Sequence, residues 1–334
     1  MRELMSGNEA IARGAREAGV KVGAGYPGTP STEVLENFVK YEGVHAQWSP
    51  NEKVALEVGI GSALAGARTI VTMKHVGVNV AADPLMTVAY TGVNGGLVLL
   101  SADDPGQHSS QNEQDNRFYG KFAKIPIVEP SDSQECKDFV GEALNISEQF
   151  DTIALLRTTT RVSHSQSLVN LGEIGETPVK PYEKNAAKYV MIPAYGKQRR
   201  LVVEERIKKL AEFADHTPLN RIEWGDRKIG IITSGISYLY VKEALPEASV
   251  LKLGLTFPLA EGLVKEFAAG VENLFIVEEL EPFLEEQIQF LGIKAEGKSI
   301  LPSIGELTPN MIKKAILTHL GMEVPPGSRG GCSW

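Results

Sequence analysis

Cysteine is nearly absent from this sequence. Only Cys136 and Cys332 occur in 334 residues, and they lie far apart. That excludes a disulfide scaffold, a four-thiolate iron–sulfur cluster and a cysteine-rich zinc site on this chain alone, so no metal ligands are assigned. Long apolar runs are missing too, since none approaches the ~20 residues a membrane-spanning helix needs. Positive charge is outnumbered, with 34 Lys and Arg against 42 Asp and Glu and a net charge of -8. Such a balance argues against nucleic acid or an anionic membrane as the main partner. The opening residues, MRELMSGNEAIARGAREAG, are charged and helical in pattern and do not read as a signal peptide. The expectation is a soluble cytoplasmic protein.

Several catalytic signatures are also lacking. Gly59-Ile60-Gly61 falls inside a helical pattern instead of opening a helix after a strand, so it fails the context of a dinucleotide fingerprint. No glycine-rich loop ends in Gly-Lys-Ser or Gly-Lys-Thr, and neither His-Glu-x-x-His nor Gly-x-Ser-x-Gly occurs. A P-loop nucleotidase and the commonest zinc protease and serine hydrolase types are thereby removed.

What is present is glycine, 33 residues of it, mostly at the ends of apolar runs. Short strands alternating with helices predict an α/β fold with a doubly wound parallel sheet, whose ligands sit beyond the carboxyl ends of the strands. The length suggests about two domains. A first domain is expected over 1–165, with strands at Val20–Ala24, Thr69–Met73, Gly96–Ser101, Ile125–Val128 and Thr152–Arg157. Its helices are expected at Asn8–Ala18, from Glu33, at Glu52–Ala67 and from Asp132 to about Phe150. Residues 166–225 read as a crossover linker with a charged helix over Gln198–Ala214. A smaller α/β domain is expected over 226–322, and residues 323–334 read as a disordered tail.

The polar turns at strand ends carry the functional signal. Tyr26–Thr32 is a proline-stiffened turn in which Ser31 or Thr32 can cap the next helix, or whose hydroxyls and amides can hold a carboxylate or carbonyl. Glu52 opens a helix rich in small residues, as a dipole-complementing surface charge or as a carboxylate facing a ligand nitrogen. Lys74-His75 follows a strand directly, where a histidine is either a satisfied structural group or part of a site. The stretch Asp103 to Asn112 is a long loop at a strand's carboxyl end, either solvated or functional.

In this order the blocks resemble the 2-oxoacid:ferredoxin oxidoreductases, most closely the large (alpha) subunit of their indolepyruvate branch. The resemblance rests on Gly7–Gly14, Gly25-Tyr26-Pro27-Gly28-Thr29-Pro30-Ser31, Ser49–Lys53 and Met73–Asn79. Asp103–Asp115, Arg157–His164, Thr233–Gly235, Leu251–Gly254, Val277–Leu280 and Gly305–Leu307 extend it to about residue 322.

That resemblance implies a thiamine diphosphate enzyme. Residues 1–165 would be its pyrimidine-binding (PYR) domain and the second unit its transketolase C-terminal-like domain. Carried over by motif position, Glu52 and His75 would be catalytic. Glu52, with Lys74, His75 and Asn79, would hold the cofactor, and Thr29, His108 and Arg117 would meet the substrate. The family's reaction is oxidative decarboxylation of aryl pyruvates to acyl-CoA, using coenzyme A and ferredoxin. The sequence departs from the family in lacking the diphosphate-binding domain, which holds magnesium, and the ferredoxin-like domain, which holds iron–sulfur clusters. Those parts, a small beta subunit and a second copy of this chain are the expected partners, and the chain is expected to be inactive alone. Two rival expectations are a non-catalytic assembly or regulatory subunit of the same fold, and half of another thiamine diphosphate decarboxylase.

Overall fold

The computed structural model describes residues 1–324; residues 325–334, with Cys332 and most of the expected tail, lie outside the described residues. The first helix, Gly7–Glu17, begins at a capping box. The Ser6 hydroxyl accepts from the Glu9 amide at 3.2 Å, and the Ser6 amide donates to the Glu9 carboxylate at 2.8 Å. Its far side meets the Ser133–Gln149 helix so closely that a methyl on Gly14 would lie 2.1 Å from the Lys137 carbonyl. Only glycine fits there.

Seven strands form the main sheet. Their order is Leu255–Phe257, Ile127–Val128, Ala154–Thr159, Leu97–Asp103, Thr69–Lys74, Val22–Gly25 and His45–Trp48. All pairings are parallel except that of Leu255–Phe257. Every residue of Thr69–Lys74, Leu97–Asp103 and Ala154–Thr159 is buried, as parallel strands covered by helices on both faces must be. The doubly wound α/β class expected from the sequence is the class observed.

The connections set the functional edge. From Val22–Gly25 the chain moves outward to His45–Trp48, then returns to Thr69–Lys74 on the other side and continues to Leu97–Asp103. Val22–Gly25 and Thr69–Lys74 therefore flank the topological switch point, where α/β sheets bind ligands. The turns leaving them are Tyr26–Ser31 and Lys74-His75.

A second sheet of four strands runs Asn273–Val277, Asp226–Ser234, Ala248–Leu253, Arg221–Glu223, the last antiparallel. Three features differ from expectation. Gln166–Asn170, read as linker, pairs antiparallel with Arg2–Ser6, which was read as leading straight into a helix. Arg221–Glu223, also read as linker, is the edge of the second sheet. Leu255–Phe257 leaves the second unit to complete the first sheet. Each is three to five residues long, too short for a period of two to stand out in sequence. Because one strand crosses over, the two units share a sheet as well as a seam.

Candidate active site at the strand ends

Asn51 builds the first side of the site. Its side chain accepts from the Val54 amide at 2.9 Å, which starts the Glu52–Leu64 helix with Glu52 in its first turn. The half-buried Glu52 carboxyl lies against Gly77, where an added methyl would come within 2.6 Å of its Cγ and 2.7 Å of Oε1. Gly77 belongs to the short helix His75–Val80, which starts on the residue after the Thr69–Lys74 strand. Sequence reading expected only a polar segment there, because Val76, Val78 and Val80 favour extended structure in isolation.

His75 is fully buried. Its Nε2 lies 3.2 Å from the Asn112 side-chain oxygen and 3.3 Å from the Asn112 carbonyl, while Nδ1 is buried without a partner among the described residues. The His75 carbonyl accepts from the side chains of Asn116 at 2.9 Å and Gln114 at 3.2 Å. Gln114 also exchanges two hydrogen bonds with the exposed Asn79, whose oxygen accepts from Tyr119 as well. Thus the loop after Leu97–Asp103 folds back over the His75–Val80 helix.

On the other side of the switch point, Lys74 is 8% exposed and runs along Gly28. Its ammonium donates to the Ser109 carbonyl at 2.7 Å and hydroxyl at 3.3 Å. The Ser109 hydroxyl in turn donates to the carbonyl of Thr29, an exposed residue. Ser31 stands at the N-cap of the next helix, but its hydroxyl donates back to the Gly28 carbonyl and does not cap. Burial lowers the Lys74 pKa, with Asp104 opposing from beyond contact. Burial pushes the Asp104 carboxyl up, yet donors from Ser110, the Ser109 amide and Thr160 together hold it below its ordinary value.

The structure therefore brings Glu52, Lys74, His75, Asn79 and Thr29 around one switch point. His108 sits at its rim, exposed, 3.4 Å from Glu306 of the second unit, which Arg161 also grips with two donors along one guanidinium edge. Arg117 is a correction. It is 1% exposed, with Asp115 and Glu278 on either side and the carbonyls of Glu279 and Glu281 accepting from one terminal nitrogen. A guanidinium enclosed between two carboxylates is turned away from a substrate. Its charge was visible in the sequence, but Glu278 lies 161 residues away.

Sequence reasoning did not single out Ser109, Asn112, Gln114 or Asn116. The signal was the polar block itself, which gives no hint of which amide reaches the neighbouring loop. Buried carboxylates line the seam behind the site. Asp103, pushed up to about 6 by burial against the pull of Arg157, meets Arg157 at 2.9 Å. Glu279 is pushed up to about 7, burial outweighing the Leu307 amide and Arg157.

A folded pKa above the ordinary 4.5 means that Glu279 contributes stability below about pH 4.5 and loses it as pH rises through 7. Glu279→Gln keeps an acceptor for the Leu307 amide. It should stabilise the chain above pH 7 by on the order of 3 kcal/mol and flatten the slope between pH 4.5 and 7. Urea melts across that range check it; an unchanged slope would contradict the assignment.

The family model for pyruvate flavodoxin/ferredoxin oxidoreductase, thiamine diphosphate-binding, matches residues 13–209. Indolepyruvate oxidoreductase subunit IorA of Pyrococcus abyssi is 45% identical over 97% of this chain and 53% of its own length. The chain thus spans about half the length of the curated relatives it matches. A solved 2-oxoglutarate:ferredoxin oxidoreductase from Magnetococcus marinus, with 2-oxoglutarate, coenzyme A and succinyl-CoA bound, superposes with a TM-score of 0.79. That match covers 96% of this chain and 65% of the other, at 16% identity. A split-gene transketolase, an inactive beta4 tetramer, superposes with a TM-score of 0.61 at 12% identity, covering 95% of this chain and 97% of the other. The last two show the fold.

Proposed function

The chain belongs to the pyruvate flavodoxin/ferredoxin oxidoreductase family, and from that premise we propose that it forms the pyrimidine-holding half of a thiamine diphosphate site. The enzyme would be a 2-oxoacid:ferredoxin oxidoreductase of the indolepyruvate type, acting on aryl pyruvates. One observation carries the reading. The Glu52 carboxyl is laid on Gly77 at the switch point, with no hydrogen-bond donor of the described residues upon it. A carboxyl held this way suits a ring nitrogen, and the bare backbone of Gly77 leaves it the space.

The buried, unpartnered His75 Nδ1 supports the same fit, since a buried polar atom without a partner is costly unless a ligand or water satisfies it. Thiamine diphosphate, when bound, supplies the nucleophilic carbon and the electron sink that decarboxylation of a 2-oxo acid requires. Glu52 would hold a proton at the pyrimidine nitrogen and thereby set the tautomer of the ring. His75, fixed by Asn112 at its Nε2 side and by Asn116 and Gln114 at its carbonyl, would close the pyrimidine end against water. Asn79 would order the rim through Gln114. The Thr29 hydroxyl would meet the carboxylate or keto oxygen of the substrate, and His108, at the rim, would face its side chain.

The balance of the reaction calls for partners. A 2-oxo acid anion and the coenzyme A thiol give acyl-CoA, carbon dioxide, one proton and two electrons, which would leave singly through iron–sulfur clusters to ferredoxin. The diphosphate, its magnesium and those clusters would be held by other domains or subunits, among them a small beta subunit, and two copies of this chain would pair. By itself the chain would be inactive.

Calorimetric titration of the purified chain with thiamine diphosphate and magnesium tests the shared site. No binding is expected up to about millimolar ligand, the range where half a set of contacts leaves little surplus over the cost of association. Tight stoichiometric binding would mean that this chain builds the whole site.

A further inference from the structure

Among the described residues Lys74 is a buried cation with no carboxylate in contact; the Asp104 charge reaches it only through space. Of the other buried basic side chains, Arg16 faces Glu176, Arg117 faces Asp115 and Glu278, Lys137 faces Glu17 and Asp138, and Arg157 faces Asp103 and Glu129. Lys252 faces Glu135, and Arg206 has Asp151 at 3.9 Å. Lys74 has only the two oxygens of Ser109. The nearby Asp104 carboxylate is spent on the Ser109 amide, Ser110 and Thr160. A buried charge is best tolerated when a partner of opposite sign touches it, and the through-space pull of Asp104 leaves the contact position on this ammonium open to an anion.

Its location says which anion. Lys74 leans on Gly28 and shares Ser109 with the Thr29 carbonyl, so it faces the Thr29 turn across the switch point. The exposed Thr29 leaves this cluster open on one side. Arg117 is withdrawn into the seam, and Arg161 is committed to Glu306. We propose that the Lys74 ammonium receives the carboxylate of the 2-oxo acid, with Thr29 and Ser109 as neighbouring hydrogen-bonding groups. Lys74 is thereby the residue that selects acids over neutral carbonyl compounds. This rests on the function proposed above and moves Lys74 from the cofactor to the substrate.

The test uses the assembled oxidoreductase with phenylpyruvate as substrate and a dye as electron acceptor. Lys74→Met should raise the KM for phenylpyruvate by about 10- to 100-fold, the scale of one charged hydrogen bond, with kcat little changed. Lys74→Arg should restore most of the loss. The dependence on thiamine diphosphate concentration should not move in either variant. A fall in kcat without a KM change would make Lys74 a prop for the Ser109 loop and overturn the proposal. A shift confined to thiamine diphosphate would assign the anion to the cofactor and overturn it as well.

Should the wild-type assembly oxidise no 2-oxo acid, the function proposed above fails, and a second measurement still judges Lys74. In the purified chain carrying 13C-labelled lysine, phenylpyruvate should shift the Lys74 Cε resonance while its neutral amide does not. Equal shifts, or none at about 20 mM, well past weak binding, would refute the pairing.

Discussion

Glu52→Gln should lower hydrogen exchange at the reactive carbon of bound thiamine diphosphate by 100-fold or more, on the scale of about 10²–10⁴ that a positioned proton-transfer group contributes. The substitution replaces one oxygen by an amide nitrogen in a side chain that makes no hydrogen bond to the described residues. Shape is therefore retained, and thermal stability should be nearly unchanged, as expected for a half-buried position outside the core. What would be lost is the proposed capacity to hold a proton at the ring nitrogen. Exchange followed by acid quench and proton NMR in the assembled enzyme gives the rate directly. A rate within about threefold of wild type, a difference well under 1 kcal/mol, would remove Glu52 from its assigned role.

The second large effect concerns stability. Arg117→Met should destabilise the chain by about 3–5 kcal/mol, the usual result of removing one partner from a buried ion group. Arg117 is held between Asp115, at 2.9 Å from its Nε, and Glu278, at 2.7 Å from one terminal nitrogen. Its guanidinium also stands over the Phe283 ring, 4.9 Å from the centroid. Methionine fills much of the volume but leaves two carboxylates facing each other in a dry seam. Asp115 and Glu278 belong to different units, so the variant should also loosen the second unit against the first. Urea unfolding of wild type and variant measures the loss. A change below about 1 kcal/mol, the range of an exposed ion pair, would mean that the group is hydrated and that Arg117 is free for other work.

Legibility in the sequence followed the length and periodicity of each element. The strands read at Thr69–Met73 and Gly96–Ser101 lie within two residues of the observed Thr69–Lys74 and Leu97–Asp103, because buried parallel strands carry apolar runs. The Leu255–Phe257 crossover was not visible, because three residues carry no period and their partner, Ile127–Val128, lies more than a hundred positions earlier. Glu52, Lys74 and His75 could be singled out from their places at element ends. What could not be read was which of the cations is compensated. Arg117 and Lys74 look alike in a sequence, yet one is locked between carboxylates and the other touches none among the described residues. Long-range pairing decides between them, and only the folded chain displays it. Cys136 is a buried free thiol whose pKa burial pushes well up.

The central claim is that this chain supplies the pyrimidine side of a thiamine diphosphate site for 2-oxo acid oxidation. Its most direct test is dye reduction by the assembled oxidoreductase, measured with phenylpyruvate and coenzyme A, with and without thiamine diphosphate, and with this chain present or withheld. Reduction is expected only when cofactor and chain are both present. Equal rates with the chain withheld would contradict it.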